Sequence, residues 1–111
     1  MKNKILSLLG IVLRSGNLVS GDDTTLSDLK KGKIKLIIIA NDASENTKKL
    51  FKDKSEYRNV PYIIDFTKEE LGKSIGKSGR AVIGIKNDQF ATKIKEISRG
   101  WSFCQRQEFI N

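Results

Sequence analysis

The stretch from Ser20 to Gly32 holds residues whose types and spacing suit contact with a phosphate or a base. It reads SGDDTTLSDLKKG, so that a glycine precedes a polar run and two lysines close it. This pattern predicts a helix from about Asp22 to Lys31, with Gly21 at its opening and Gly32 as its stop. The first turn of a helix presents unpaired backbone N–H groups and a partial positive charge, which can meet a phosphate or the edge of a base.

Two interpretations of this helix opening stay open. In the functional one, Gly21 lets an RNA backbone approach closely, while Asp23 and Thr24 lie on the exposed first turn and reach base edges. Ser27 and Lys31 continue the same face, at positions i+4 and i+8 from Asp23. In the structural one, the aspartates of the first turn only cap the helix and complement its dipole.

A second polar segment, GKSGR, lies between a predicted helix and a predicted strand. Its glycines, Gly76 and Gly79, and its polar residues Lys77, Ser78 and Arg80 compose a loop that suits a phosphate. An ordinary exposed connection has the same composition, so this alternative stays open as well. The spacing of Gly and Lys is not that of a P-loop, and no dinucleotide-binding fingerprint follows a strand.

The charge balance points to a polyanionic partner. The chain has 111 residues, with 21 Lys and Arg against 13 Asp and Glu, a net charge of +8 and a pI near 9.7. A single domain this basic has the electrostatic character of a nucleic-acid binder. A basic surface that only confers solubility is the alternative.

Enzymatic and metal-dependent functions are disfavoured by the residue types. The chain has no histidine and one cysteine, Cys104, which excludes a histidine-based triad, a zinc site and a disulfide framework. Capping and surface charge explain the carboxylates Asp65, Glu69 and Glu70 at least as well as acid–base chemistry does. We therefore expect a non-enzymatic protein without a metal or cofactor. A single cysteine, no export signal and no membrane-spanning run favour the cytoplasm.

Helices and strands alternate along the chain, which predicts a three-layer α/β sandwich. The apolar run Leu36–Ala40 suits a strand covered on both faces. Residues Asp42 with Glu45, and Thr67 with Glu70, have capping-box spacing. The other predicted strands are Leu18–Ser20, Tyr62–Ile64 and Ala81–Ile85. Further helices are predicted around Ile5–Leu13, from Ser44 to about Phe51, and over Thr67–Ile75. The last predicted helix is capped by Asp88 and has Phe90, Ile94 and Ile97 on its inward face.

Aromatic residues occur mainly near the third strand and in the C-terminal segment. We interpret Tyr57, Tyr62 and Phe66 as packing residues rather than as platforms for base stacking. Residues 100–111 show neither helical nor strand periodicity. We therefore expect a domain over residues 1–99 and a separate tail over residues 100–111.

Four segments in order resemble one known family. They are LVSG at Leu18–Gly21, KGKIKLIIIANDASENT at Lys31–Thr47, VPY at Val60–Tyr62 and ELGKSIGK at Glu70–Lys77. The combination resembles the ribosomal protein L7Ae/L30e superfamily, and more narrowly its bacterial YlxQ-type members, over roughly residues 3–98. The resemblance implies an α/β/α sandwich around a central four-stranded mixed sheet, and binding of kink-turn RNA by the start of helix two.

The resemblance also assigns residues to the RNA contact. The family's Gly-x-Asn-Glu-x-x-Lys motif falls on Gly21, Asp23, Thr24 and Ser27, and its later cation falls on Lys31. Asp23, Thr24 and Ser27 thus stand where Asn, Glu and Lys are usual. The family's second RNA-contacting loop falls on the segment from Gly76 to Arg80.

Two functions follow as hypotheses. The first is a cytoplasmic, monomeric, non-enzymatic protein that binds structured RNA through helix two and the Gly76–Arg80 loop, where Lys31 and Arg80 are exposed cations; an association with the ribosome is left open. The second is a protein-interaction module that keeps the fold without kink-turn specificity, which the changed motif supports.

Overall fold

A computed structural model describes residues 2–98 of the chain, in which five helices alternate with four strands. The predicted tail, with Cys104, lies outside the described residues. None of the helices within the described residues is long and apolar enough to cross a membrane. The helices are α1 (Lys2–Arg14), α2 (Asp22–Lys30), α3 (Glu45–Tyr57), α4 (Lys68–Ser74) and α5 (Asp88–Ile97), and the strands are β1 (Leu18–Ser20), β2 (Leu36–Ile39), β3 (Tyr62–Ile64) and β4 (Val82–Ile85).

The strands form one mixed sheet in the order β1-β4-β2-β3. Strand β4 is antiparallel to both β1 and β2, whereas β2 and β3 run parallel. The C-terminal ends of β1, β2 and β3 therefore meet the N-terminal end of β4. We call this the upper end of the sheet, marked by Ser20, Ile39, Ile64 and Val82, and we call the opposite one the lower end.

The helices cover both faces of the sheet. Helix α1 packs with α4 and α5 in one layer, and α2 packs with α3 in the other. Every residue of β2 and β4 is buried, as the continuous apolar run of β2 predicts for a strand covered on both faces. The predicted three-layer sandwich with a four-stranded mixed sheet is therefore confirmed.

The inward faces of the helices follow the predicted periodicity. Ile5, Leu9 and Val12 of α1 are fully buried, as expected. In α2, Leu29 is fully buried, and Leu26 is partly buried and packs against the core, as expected. Thr25 of the same helix is also fully buried, which we did not predict. A threonine is accommodated there because Gly84 of β4 leaves space for its methyl group.

Two of the predicted capping residues are wrong. Ser44, and not Asp42, caps α3, because its hydroxyl accepts the backbone N–H of Thr47 at 3.1 Å. The Asp42 carboxylate instead accepts the backbone N–H of Lys68 at 2.8 Å, at the start of α4. Asn87, and not Asp88, caps α5.

The capping box of α4 is confirmed. The Thr67 hydroxyl accepts the Glu70 N–H at 3.0 Å, and the Glu70 carboxylate accepts the Thr67 N–H at 2.9 Å. Both orphan donors of the helix start are thereby satisfied. Helix α4 is thus fixed at the upper end of the sheet, beside the Gly76–Arg80 loop that follows it.

Helix α3 is longer than predicted, ending at Tyr57 rather than near Phe51. The apolar pattern stops at Phe51, but Ser55 continues the buried face one turn later. An ion pair between Lys49 and Asp53, at 3.1 Å and i,i+4 spacing, supports the exposed face. Tyr57 is 80% exposed, so the prediction that it is a packing residue is wrong, whereas Tyr62 and Phe66 are buried as expected.

Candidate nucleic-acid interface

The start of α2 lies at the upper end of the sheet, directly after β1. Gly21 precedes the helix with φ 91° and ψ 154°, a conformation that side-chain-bearing residues rarely adopt. Its N–H donates to the carbonyl of Val82 at 3.2 Å, which ties the helix opening to the start of β4. Gly21 is thus required by the backbone turn itself.

The first turn of α2 has no side-chain cap. Its N-cap residue is Gly21, and within residues 2–98 no side chain accepts an N–H of Asp22, Asp23 or Thr24. Within the described chain the aspartates therefore do not cap the helix by hydrogen bonds, whereas Asp22 and Asp23 do place negative charge in its first turn, where it complements the helix dipole. Asp23 and Thr24 are exposed as predicted, so the turn offers open donors with a hydroxyl and carboxylates around them.

Arg80 joins this helix opening to the Gly76–Arg80 loop. Its guanidinium donates from Nε to the Ser20 hydroxyl at 3.3 Å, across 60 residues of sequence. From Nη1 it also donates to the Ser78 carbonyl and hydroxyl, both at 3.2 Å, and to the Gly79 carbonyl at 3.1 Å. Arg80 is therefore half-buried, and the prediction that it is a freely exposed cation is wrong.

The loop is folded back against α4 through Gly72. The Lys77 N–H donates to the Gly72 carbonyl at 2.8 Å. A Cβ added at Gly72 would clash with the backbone carbonyl of Ser78, so the glycine is what allows the loop to lie this close. With this backing, Lys77 and Ser78 remain exposed.

The structure thus brings most of the predicted site residues to one end of the sheet, but not all. Ser27 lies one turn along α2 and is exposed. Lys31 follows the last residue of α2, and a helix of 9 residues is about 13 Å long. Lys31 therefore lies near the lower end of the sheet, away from the others. The residues gathered at the upper end are Gly21, Asp23, Thr24 and the loop from Gly76 to Arg80.

Sequence reasoning missed the residues that hold the site in place. The sequence assigns Ser20 to a strand end and to the stretch that opens helix two, but it does not predict that the Ser20 hydroxyl anchors Arg80. It assigns Gly72 to helix four, but it does not predict that this glycine supports the loop. The one available signal was a glycine inside a predicted helix, which often indicates a close approach by another part of the chain.

Comparisons with known proteins identify the family. The profile of the Ribosomal protein L7Ae/L30e/S12e/Gadd45 family matches residues 3–95. The chain is 43% identical over 99 residues to the RNA-binding protein YlxQ of Enterococcus faecium, covering 89% of this chain and 95% of that protein. It is 38% identical over 87 residues to the RNA-binding protein YlxQ of Bacillus subtilis, covering 78% and 87% of the two chains.

A solved structure agrees with the fold. It is that of a protein of unknown function from Bacillus halodurans C, with a TM-score of 0.82, 34% identity, and coverage of 85% of this chain and 95% of that one. The names found are of ribosomal and RNA-binding proteins rather than of enzymes, as we expected from the residue types. The chain belongs to the L7Ae/L30e/S12e/Gadd45 family of ribosomal-type proteins and is a YlxQ-type member of it.

Proposed function

We propose that this protein binds structured RNA of the kink-turn type through the upper end of its sheet. The contacting elements are the first turn of α2 and the Gly76–Arg80 loop. The protein acts without catalysis, as a cytoplasmic monomer, and associates with ribosomal or other folded RNA. The family and the names of its YlxQ relatives support RNA as the class of ligand.

The observation that carries this proposal is the link made by Arg80 between the two elements. Its hydrogen bonds to Ser20 and to Ser78 hold the loop beside the uncapped turn of α2. Open N–H donors, the Thr24 hydroxyl and the exposed cation of Lys77 then face the same ligand. A bent RNA presents phosphates and unpaired base edges close together, which such a mixed surface suits better than a purely basic one does.

The Gly76–Arg80 loop and the start of α2 contact different parts of the RNA. The exposed Lys77 supplies positive charge for a phosphate. At the start of α2, the Asp23 carboxylate accepts hydrogen bonds from a guanine edge, while Thr24 donates or accepts. The carboxylates of Asp22 and Asp23 repel nearby phosphates, so this turn contacts bases rather than backbone.

The test compares two RNAs of equal length and charge. Binding to a kink-turn duplex and to a plain duplex is measured across a salt series. We expect tighter binding of the kink-turn duplex, with a difference that persists at higher salt because base contacts depend less on counterion release. Equal affinity for both RNAs at every salt concentration would contradict the proposal.

A second candidate function is a protein-interaction module that keeps the fold without kink-turn specificity. The exposed carboxylates of Asp22 and Asp23 at the start of α2 favour it, because they oppose a phosphate-rich ligand. Equal binding of the two duplexes, combined with a steep loss of affinity in salt, would reduce the protein to an electrostatic binder of RNA, whereas weak binding of both duplexes would favour the interaction module.

A further inference from the structure

The lower end of the sheet holds a basic cavity of about 590 Å³, between the ends of α2 and α3 and the helix α5. This volume lies within the roughly 300–1,000 Å³ of pockets that hold small ligands, such as a nucleotide. Its floor is apolar, formed in part by Leu29 and Ile34. Among the described residues, the charged side chains that line it are those of Lys30, Lys31, Lys35, Arg58 and Lys95, with Asp88 as the one carboxylate.

These cations are not neutralised within the described chain. Among residues 2–98, no ion pair joins any of the four lysines of the cavity to a carboxylate. Helices α2 and α3 end at the cavity, and each helix C-terminus carries roughly half a negative charge. Those two ends and Asp88 together offset about two of the five positive charges. The cavity therefore keeps a clear excess of positive charge and suits an anion.

An exposed aromatic ring lies beside this cavity. Tyr57, the last residue of α3, is 80% exposed, although most tyrosines bury their ring against the protein. The guanidinium of Arg58, a residue that lines the cavity, lies over this ring at 5.2 Å from its centroid. The ring is therefore largely exposed, with Arg58 over one of its faces. An exposed ring next to clustered cations is a combination that binds single-stranded nucleic acid, by stacking a base and holding the adjacent phosphate.

We propose that the cavity and Tyr57 form a second RNA-binding site, which takes a single-stranded segment. A phosphate of the segment lies against the lysines of the cavity, and a neighbouring base stacks on Tyr57. The inference rests on the proposed function in taking RNA as the ligand, but it uses residues at the other end of the sheet. An acidic protein segment would satisfy the cations and would have no use for the ring.

Helix α2 connects the two sites. Lys31 borders the cavity and lies on the same helical face as Asp23 and Ser27. The helix is about 13 Å long, so one RNA can reach both ends, with a folded part at the upper end and a flanking single strand at the lower end. Contact at both sites then raises affinity through effective concentration.

The first test uses a fluorescently labelled oligouridine strand, which cannot form a kink-turn. The variants Tyr57→Ala and Lys35→Ala change exposed side chains, and thermal unfolding checks that each remains folded. We expect Tyr57→Ala to weaken oligouridine binding by about tenfold, as the loss of one stacked base does. We expect Lys35→Ala to reduce the slope of log affinity against log salt by about 0.7.

Matched controls separate the site from general charge and general surface effects. Tyr57→Phe keeps the ring and should bind as the wild type does. Lys4→Ala removes an equal charge from α1, in the other helical layer, and should leave the slope nearly unchanged. Wild-type binding by Tyr57→Ala and Lys35→Ala, or no binding of oligouridine by the wild-type protein, would overturn the proposal.

Two further arms distinguish the failure of this inference from that of the proposed function. A blunt kink-turn duplex reports on the upper end alone, and Tyr57→Ala should bind it as the wild type does. If the wild-type protein binds oligouridine but shows no preference for the kink-turn duplex over the plain one, the result counts against the upper site only. Binding of a polyglutamate peptide that weakens in Lys35→Ala but not in Tyr57→Ala, together with no binding of oligouridine, would replace RNA by an acidic protein as the partner of the cavity.

Discussion

Arg80 decides how the two elements of the upper site sit against each other. Its fork of donors is shared between Ser20 and the carbonyls of the loop, which a lysine cannot reproduce. We expect Arg80→Ala to weaken kink-turn RNA binding by about tenfold, because roughly 1.4 kcal/mol is lost when the loop moves away from α2. Arg80→Lys should lose nearly as much, although it keeps the charge.

The comparison of Arg80→Ala with Arg80→Lys distinguishes two roles of Arg80, the positioning of the loop and a direct contact of its charge with RNA. Lys77→Ala serves as the matched control, since Lys77 is an exposed cation of the same loop. That variant should reduce the salt slope by about 0.9, as expected for one phosphate contact on a duplex. Full rescue by Arg80→Lys would mean that Arg80 contacts RNA directly as a point charge.

Three residues of α2, Asp23, Thr24 and Ser27, differ from the motif that the resemblance implies at these positions. Restoring that pattern by Asp23→Asn, Thr24→Glu and Ser27→Lys should raise affinity for kink-turn RNA by tenfold or more. The amide removes a repulsive charge, the carboxylate reaches a guanine edge and the lysine returns a cation, and one good base contact gives about 1–3 kcal/mol. Electrophoretic mobility shifts with the two duplexes measure the change.

Folding does not complicate this experiment, because the three residues are exposed on α2. Asp22 remains in the triple variant and limits the gain. A triple variant that binds both duplexes as the wild type does would leave the start of α2 without a role in RNA binding. The protein-interaction module would then be the better account.

At the scale of single residues, the sequence predicts whether a side chain is exposed when its position along a helix determines the exposure. Asp23, Thr24 and Ser27 are exposed as their helical positions indicate. The exposure of Arg80 was predicted wrongly because its partner Ser20 is 60 residues away, a distance over which local patterns carry no information. The exposure of Tyr57 was missed because the length of α3 was underestimated.

At the scale of elements, Gly72 shows how a helix and a loop constrain each other. In an isolated helix, Gly→Ala would stabilise by about 1 kcal/mol. Here we expect Gly72→Ala to lower the free energy of unfolding by about 1–3 kcal/mol, because the new methyl group clashes with the Ser78 backbone. Urea denaturation measures this change, and kink-turn binding should weaken with it.

Lys73→Ala is the matched control, since Lys73 is exposed on the same helix. Its unfolding free energy should stay within about half a kcal/mol of the wild type, as for surface substitutions generally. A Gly72→Ala variant more stable than the wild type would mean that the loop is not held against α4. The Gly76–Arg80 loop would then not pack against Gly72.

Element types were predicted better than element ends. The order of helices and strands follows from periodicity, since each element carries an apolar pattern over much of its length. Asp42 was predicted as the cap of α3 in place of Ser44 because both are residue types that cap helices well. Asp42 was free for a different role because Lys68, from a distant part of the sequence, comes close enough to donate to it.

The two ends of helix α2 lie at opposite ends of the sheet, so this helix spans the whole molecule. Lys31 follows its C-terminal end and borders the basic cavity. We expect Lys31→Ala to leave the affinity for a blunt kink-turn duplex almost unchanged and to weaken binding once a single-stranded tail is added. Filter binding of the two RNAs at one salt concentration measures this difference. Equal losses for both RNAs would place Lys31 in the kink-turn contact.

The stability of the whole molecule depends on the central strand, which separates the two helical layers and connects the two ends. Ile38 is fully buried in β2, which pairs with both β3 and β4. We expect Ile38→Ala to lower the free energy of unfolding by about 2–5 kcal/mol, because the truncation removes buried methyl groups and leaves a cavity. Such a loss is a large share of the roughly 5–15 kcal/mol that holds a small domain folded.

Urea denaturation of the wild type and of Ile38→Ala measures this loss, with Ile11→Ala as the matched control. Ile11 is an isoleucine of α1 that is 48% exposed, so its truncation should cost much less. Because β2 is bonded on both sides, loosening it should lower RNA binding at both ends of the sheet together once unfolding begins. A cost below about half a kcal/mol for Ile38→Ala, the range of surface substitutions, would mean that β2 is not the central strand of the core.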